Sequence, residues 1–292
     1  MKSNDSPLLK SRNVLPEGGF DRDSNKSKSK TIKVSNFFFK QPKIKYYYRD
    51  FQNENYNDYM EDVNYIEEKF NYLDKNYLFC LFDGHGGDNT CKYCQKNFAE
   101  ILKEQLDEND DSEKALENTF KIIEEKLKEE NFDDGTTATA VLIRENKFYC
   151  GNVGDSRCVI VNNNNMVIRI SVDHRVSNES EFARILKDGG TISEGRINGE
   201  IMLSRSLGDF ELKGSGLISE PYLESRLITQ RDKCCVIASD GVWDVISEKK
   251  LKELVERSKN CEELCNNIIE ESIKEGSEDN ISCFVIGFWD SF

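Results

Sequence analysis

Acidic residues placed at the ends of short apolar runs constrain this chain more than any other feature. Met60-Glu61-Asp62, Asp83-Gly84-His85-Gly86-Gly87, Gly154-Asp155-Ser156-Arg157, Asp240-Gly241-Val242-Trp243-Asp244 and Asp279-Asn280 form the set. Several lie at or just after apolar stretches, where strands end. A fold that aims them into one cleft crowds like charges and needs a counter-charge. Hard divalent cations such as Mg²⁺ or Mn²⁺ take oxygen ligands and supply it. An oxygen-lined cluster beside a histidine points to hydrolysis of a phosphate ester by a metal-activated water. A single Asp-Gly makes a turn just as well, so the weight rests on the ordered set.

The rest of the composition narrows the setting. The 292 residues allow one large domain or two small ones. Residues 1–45 hold 11 Lys/Arg against 4 Asp/Glu (+7), and the remainder holds 29 against 50 (−21), which sum to −14. An acidic body argues against a nucleic-acid partner and fits a metal site and basic protein substrates. Ordinary solubility accounts for most of the surface acids. No run approaches the ~20 apolar residues that span a membrane, and Met1-Lys2 opens no myristoylation signal. Without an apolar signal segment, a reducing compartment, cytoplasmic or nuclear, is expected for the ten cysteines. Most of these act as small hydrophobes. Cys91-Lys92-Tyr93-Cys94 lacks a second pair and reads as helix-face packing, not zinc binding. No coiled-coil repeat is present, and a monomer is expected.

Residues 1–40 read as a basic, disordered tail and 41–292 as one folded domain. Tyr77–Phe82 predicts a buried strand ending at Asp83. Helices are expected over 88–106 and 112–129, the second with Ser112 as N-cap. Ala138–Ile143, Phe148–Val153, Arg157–Val161 and Met166–Ser171 read as strands, with Asn162–Asn165 as a hairpin loop. Residues 174–220 are poorer in apolar side chains and read as a flap over a site, with a short helix at Glu179–Lys187. Cys234–Ser239 is a further strand, 247–258 and 261–275 are helices with Gly276 as a terminal cap, and Ile281–Phe288 is the last strand.

Taken in order with Ser204-Arg205-Ser206-Leu207-Gly208-Asp209, these motifs resemble the metal-dependent Ser/Thr protein phosphatase family, the type 2C phosphatases, from about residue 43 to 288. The resemblance implies an α+β fold: an α-β-β-α sandwich of two mostly antiparallel sheets with helix pairs outside. It implies hydrolysis of phosphoserine and phosphothreonine in phosphorylated proteins by a water bridging two Mn²⁺ or Mg²⁺ ions, with no phosphoenzyme. In that scheme Asp83 bridges both ions. The Gly84 carbonyl and Glu61 complete one site, and Asp240 and Asp279 the other. Asp62 accepts from metal-bound water, and His85 is the general acid for the leaving alkoxide. Asp155 and Asp240 match a weaker third metal position, with Asp244 supporting it. His174, Trp243 and Gly135-Thr136-Thr137-Ala138 are expected to be structural, and Asp134, where the family has a small residue, to matter little.

One departure stands out. The family places a phosphate-binding Arg three residues before the Met of Met60-Glu61-Asp62, and here the position is Asn57. Asn offers one hydrogen bond and no charge, so phosphate contact falls to Arg196 of the flap or, by proximity in sequence, to Arg49. Asn57 also raises the alternative of a pseudophosphatase, the same fold used as a binding module. A third alternative keeps the metal site for a small phosphorylated metabolite.

Overall fold

The computed structural model describes residues 41–290 and 292, so the expected tail lies outside the described residues. The chain runs β1 (Lys45–Phe51), β2 (Asp62–Glu68), β3 (Asn76–His85), α1 (Asn89–Glu108), α2 (Ser112–Glu130), β4 (Gly135–Thr136), β5 (Ala138–Arg144), β6 (Lys147–Val153), β7 (Arg157–Asn162) and β8 (Val167–Arg169). It continues with α3 (Glu179–Lys187), β9 (Ile192–Ser193), β10 (Arg196–Ile197), β11 (Leu207–Gly208), β12 (Tyr222–Leu227), β13 (Asp232–Ala238), α4 (Asp240–Trp243), α5 (Glu248–Arg257), α6 (Cys261–Lys274) and β14 (Ile281–Gly287).

Alternation along the strands explains the layering. Successive side chains of a strand point to opposite faces. In β3, Leu78, Cys80 and Phe82 pack with Phe98 of α1 and Leu116 and Phe120 of α2, while Phe79 and Leu81 face the other way. In β14, Cys283 and Val285 join α5 and α6 in one core, while Phe284 and Ile286 meet Phe79 in another. A strand covered on both faces must be apolar throughout. That is why the runs at 77–82 and 281–288 are nearly unbroken. Three cores thus stack between four layers: α1 and α2, a seven-stranded sheet, a five-stranded sheet, and α5 and α6.

The five-stranded sheet has the order β1-β14-β13-β7-β8. The other follows β11-β4-β3-β5-β6-β12 with β2 added beside β3. The strand pairings within both sheets are antiparallel. The expected α-β-β-α sandwich is therefore the fold. Strands β1, β2 and β12 were not read from the sequence, and the N-cap of α2 is Asp111, not Ser112. The Asp111 carboxylate accepts from Glu113 N and Lys114 N at 3.1 and 3.3 Å, whereas Ser112 is buried and accepts from Arg144.

The segment expected as a flap has a small core of its own, built from Val176, Ile185, Ile197, Leu212 and Leu217. Buried Glu181 is held by Arg184 at 2.9 Å and by Arg205 at 2.7 Å, which pins α3 to the strand-like stretch before β11. No helix among the described residues is long and apolar enough to cross a membrane.

Candidate metal centre

Strand ends bring the acids together. Asp62 opens β2 directly opposite Asp83 near the end of β3. Like charges facing each other across an antiparallel pair repel, so the sheet register itself builds an electrostatic demand. Asp155 enters from the turn between β6 and β7, and Asp240 from the start of α4 just after β13. One carboxylate oxygen each from Asp83, Asp155 and Asp240 lies within 4.8 Å of the others.

Glu61 and Asp279 border the same cleft of 390 Å³, together with Gly84, His85, Thr137, Arg196, Glu200, Met202 and Asp209. Asn280 couples them: its Oδ1 accepts from Glu61 N at 2.7 Å, and its Nδ2 donates to Gln52 O at 2.7 Å. Gly241 is required by the same close approach, because a Cβ there would stand 2.0 Å from Asn280 O. Gly84 is similarly hemmed in, with Glu61 O 2.9 Å from where a Cβ would be.

Electrostatics show what the cluster lacks. Burial, then the charges of Asp62, Asp240, Asp155 and Asp279, push the Asp83 carboxyl well above its usual range. Burial and Asp155 do the same to Asp240, and burial raises Glu61. Asp62 rises to about 6, again chiefly through burial, although the Ser239 and Ser282 hydroxyls favour its charged form. Neither buried oxygen of Asp62 completes a hydrogen bond of good geometry. Buried carboxylates that crowd one another and keep lone pairs unsatisfied are short of a cation. An oxygen-only donor set of this kind fits a hard divalent ion.

His85 stands at the end of β3 with Nε2 2.8 Å from Asp209 Oδ2. Burial works against its charge, but the Asp209 hydrogen bond and charge prevail and its pKa is raised. Asp209 is held in turn by Ser206 Oγ at 2.5 Å. Asp209 closes the Ser204-Arg205-Ser206-Leu207-Gly208-Asp209 motif, from which the sequence assigns it no role. The histidine's need for an anionic partner was the available signal.

Other expectations sort cleanly. His174 is buried, its Nδ1 accepts from Gly154 N at 3.2 Å, and burial lowers its pKa to about 4, as suits a structural residue. Trp243 is buried, donating to Ala238 O at 2.8 Å. Cys91 and Cys94 are buried on α1 without a metal-like group around them among the described residues. Asp134 carries more than the small effect expected of it. Its buried carboxylate accepts from Asn89 N at 2.7 Å and Thr90 N at 3.1 Å, capping α1 from outside the helix. Arg49 is a correction: it pairs with Asn266 and Glu270 and does not border the cleft. Asn57 does not border it either. Its Nδ2 donates to Glu278 O at 3.0 Å, one residue before Asp279. Arg196 is the one lysine or arginine among the described lining residues.

The four layers and the carboxylate cleft agree with what comparison with known proteins finds. The family model described as protein phosphatase 2C matches residues 46–281. The chain is 37% identical over 217 residues to protein phosphatase 2C homolog 3 of Schizosaccharomyces pombe, covering 69% of this chain and 52% of that protein. It is 31% identical over 256 residues to protein phosphatase 2C homolog 1 of Saccharomyces cerevisiae, covering 80% and 90%. It thus spans about half the length of the first relative and nearly all of the second. A C. elegans sex determining protein superposes with a TM-score of 0.75 at 26% identity, covering 84% of this chain and 64% of that one. A phosphatase from Toxoplasma gondii shares the fold with a TM-score of 0.73 at 18% identity, covering 85% and 94%. The chain belongs to the protein phosphatase 2C family.

Proposed function

We propose that this chain hydrolyses phosphoserine and phosphothreonine in proteins with two Mg²⁺ or Mn²⁺ ions, and without a phosphoenzyme. The observation that carries the reading is the Asp83–Asp155–Asp240 convergence, whose carboxyls stay raised by burial and mutual repulsion even with Arg175 beside Asp155 and Asp240. Asp83, Glu61, the Gly84 carbonyl, Asp240 and Asp279, which line the cleft together, would hold the ions. Bound ions would neutralise phosphate charge and activate water for attack.

The chain's own groups do the rest. Asp62 is buried opposite Asp83 and does not itself line the cleft, so its role would be to act through Asp83 and water held beside it. Arg196 is the available cation for the substrate phosphate, since Asn57 turns to Glu278. Asp209, hydrogen-bonded to Nε2, favours the protonated form of His85. The opposite nitrogen, Nδ1, is left to pass its proton to the departing Ser or Thr oxygen. A binding module of the same fold has no use for buried carboxylates that repel one another, and this favours turnover over the pseudophosphatase alternative.

The test is phosphothreonine-peptide hydrolysis in EDTA, Mg²⁺ and Mn²⁺, beside Asp240→Ala. Turnover that needs metal and disappears in the variant is expected. Metal binding with no turnover on phosphopeptides or phosphoproteins would sink the proposal.

A further inference from the structure

One cation is already present among the acids. Arg175 Nε donates to Asp155 Oδ2 at 2.6 Å, and its Nη2 lies 2.8 Å from Asp244 Oδ1 and 3.3 Å from Asp240 Oδ2. These three carboxylates are the ones the family resemblance assigns to a weaker third ion. The guanidinium does not reach in from a free loop. Its predecessor His174 is locked to Gly154 by two hydrogen bonds, His174 N to Gly154 O at 3.0 Å and Gly154 N to His174 Nδ1 at 3.2 Å. Arg175 itself pairs with Leu203 in a β-bridge at the base of the flap segment, and Val176 N donates to Met202 O at 2.9 Å. The main chain on both sides of the guanidinium is therefore fixed.

Arg175 is engaged with three carboxylates through Nε and Nη2, so that edge of its head is not open to substrate phosphate. Its planar, permanently charged head suits a site between fixed carboxylates. A further divalent ion on these carboxylates would stand against the guanidinium charge. The ion must either meet a positive charge at hydrogen-bonding range or displace Arg175 and break three ion pairs.

We propose that Arg175 is the resident cation of the Asp155–Asp240–Asp244 position, aiming Asp155 and Asp240 into the cleft and limiting the chain to two tightly bound divalent ions. The inference rests on the metal-dependent reading above. Arg175 is on this view a positioning residue that acts through Asp155 and Asp240.

The experiment is a Mn²⁺ titration of the full chain followed by the paramagnetic resonance signal of free Mn²⁺. It compares wild type, Arg175→Gln, Arg175→Lys and Asp240→Ala. Wild type should saturate with two ions. Arg175→Gln should gain a third ion at least about tenfold tighter than any third ion on wild type, because a like charge at contact range is gone. Arg175→Lys keeps the charge and should stay with wild type, a distinction that a merely structural role would not produce. If Arg175→Gln is unstable, Arg175→Met keeps the stem and carries the same expectation. Equal stoichiometry and affinity in wild type and the neutral variants would overturn the proposal alone, as would loss of one of the two ions. A wild type whose Mn²⁺ binding ignores Asp240→Ala would overturn the metal reading and this inference together.

Discussion

Asp209→Asn removes one negative charge from the His85 partner and leaves side-chain size almost unchanged. In the native protein His85 Nε2 lies 2.8 Å from Asp209 Oδ2, with the Asp209 side chain 10% exposed and that of His85 31%. A hydrogen bond to a charged group in such a setting contributes about 1.5–3 kcal/mol, and the neutral bond an Asn retains about 0.5–1.5. The difference, about 1–2 kcal/mol, favours the protonated imidazole and corresponds to roughly a five- to thirtyfold change in rate where that proton is needed. A Ser or Thr alkoxide is a poor leaving group and needs it. An aryl oxide does not. The variant should therefore lose roughly five- to thirtyfold in kcat on a phosphothreonine peptide, with less than about a threefold change on p-nitrophenyl phosphate and an unchanged Mn²⁺ stoichiometry. Equal losses on both substrates would refute the argument, since they would mean that Asp209 supports the site as a whole and not the proton on His85.

Two further expectations follow from the charges. Asp83→Asn should abolish turnover and yet raise the melting temperature in EDTA by about 2–4 °C, taking the relieved repulsion as about 1 kcal/mol. The same variant should lose the stabilisation that Mn²⁺ gives wild type, about 2.7 kcal/mol at a hundredfold excess over Kd. A lower melting temperature in EDTA would contradict the picture of Asp83 crowded by Asp62, Asp155 and Asp240. His174 titrates at about 4 in the folded chain because burial disfavours its charge, against about 6.5 unfolded. Its contribution is fully present above pH 6.5 and is lost as pH falls towards 4, with about 2 kcal/mol gone by pH 5. Urea unfolding at pH 7 and pH 5 should thus show a smaller pH penalty for His174→Asn than for wild type. Parallel pH dependence in the two proteins would count against a neutral, buried His174.

What could be read in the sequence depended on how each element meets its surroundings. Strands β3, β13 and β14 are covered on both faces, and their unbroken apolar runs were legible. Strands β1 and β12 are half-buried along most of their length, and their sequences, Lys45–Phe51 and Tyr222–Leu227, mix tyrosine with charge. Neither apolar alternation nor a run marks them, and only pairing with β14 and β6 makes them strands. Helices α1 and α2 were legible from their periodicity. The cap of α1 was not, because Asp134 lies 45 residues from Asn89.

The sequence by itself determined the buried strands and the paired helices, through local apolar pattern, and the family, with the α+β sandwich it implies, through motif order; most of the acids it singled out, Glu61, Asp83, Asp155, Asp240 and Asp279, do share the cleft. Tertiary structure alone decided the charge balance of the site. It set Asp209 against His85 across 124 residues, turned Asn57 and Arg49 away from the cleft, and placed the Arg175 guanidinium among Asp155, Asp240 and Asp244. The reason is physical. An acid can be recognised from its neighbours in the chain, but the energy of its charge depends on what folding brings within a few ångströms of it.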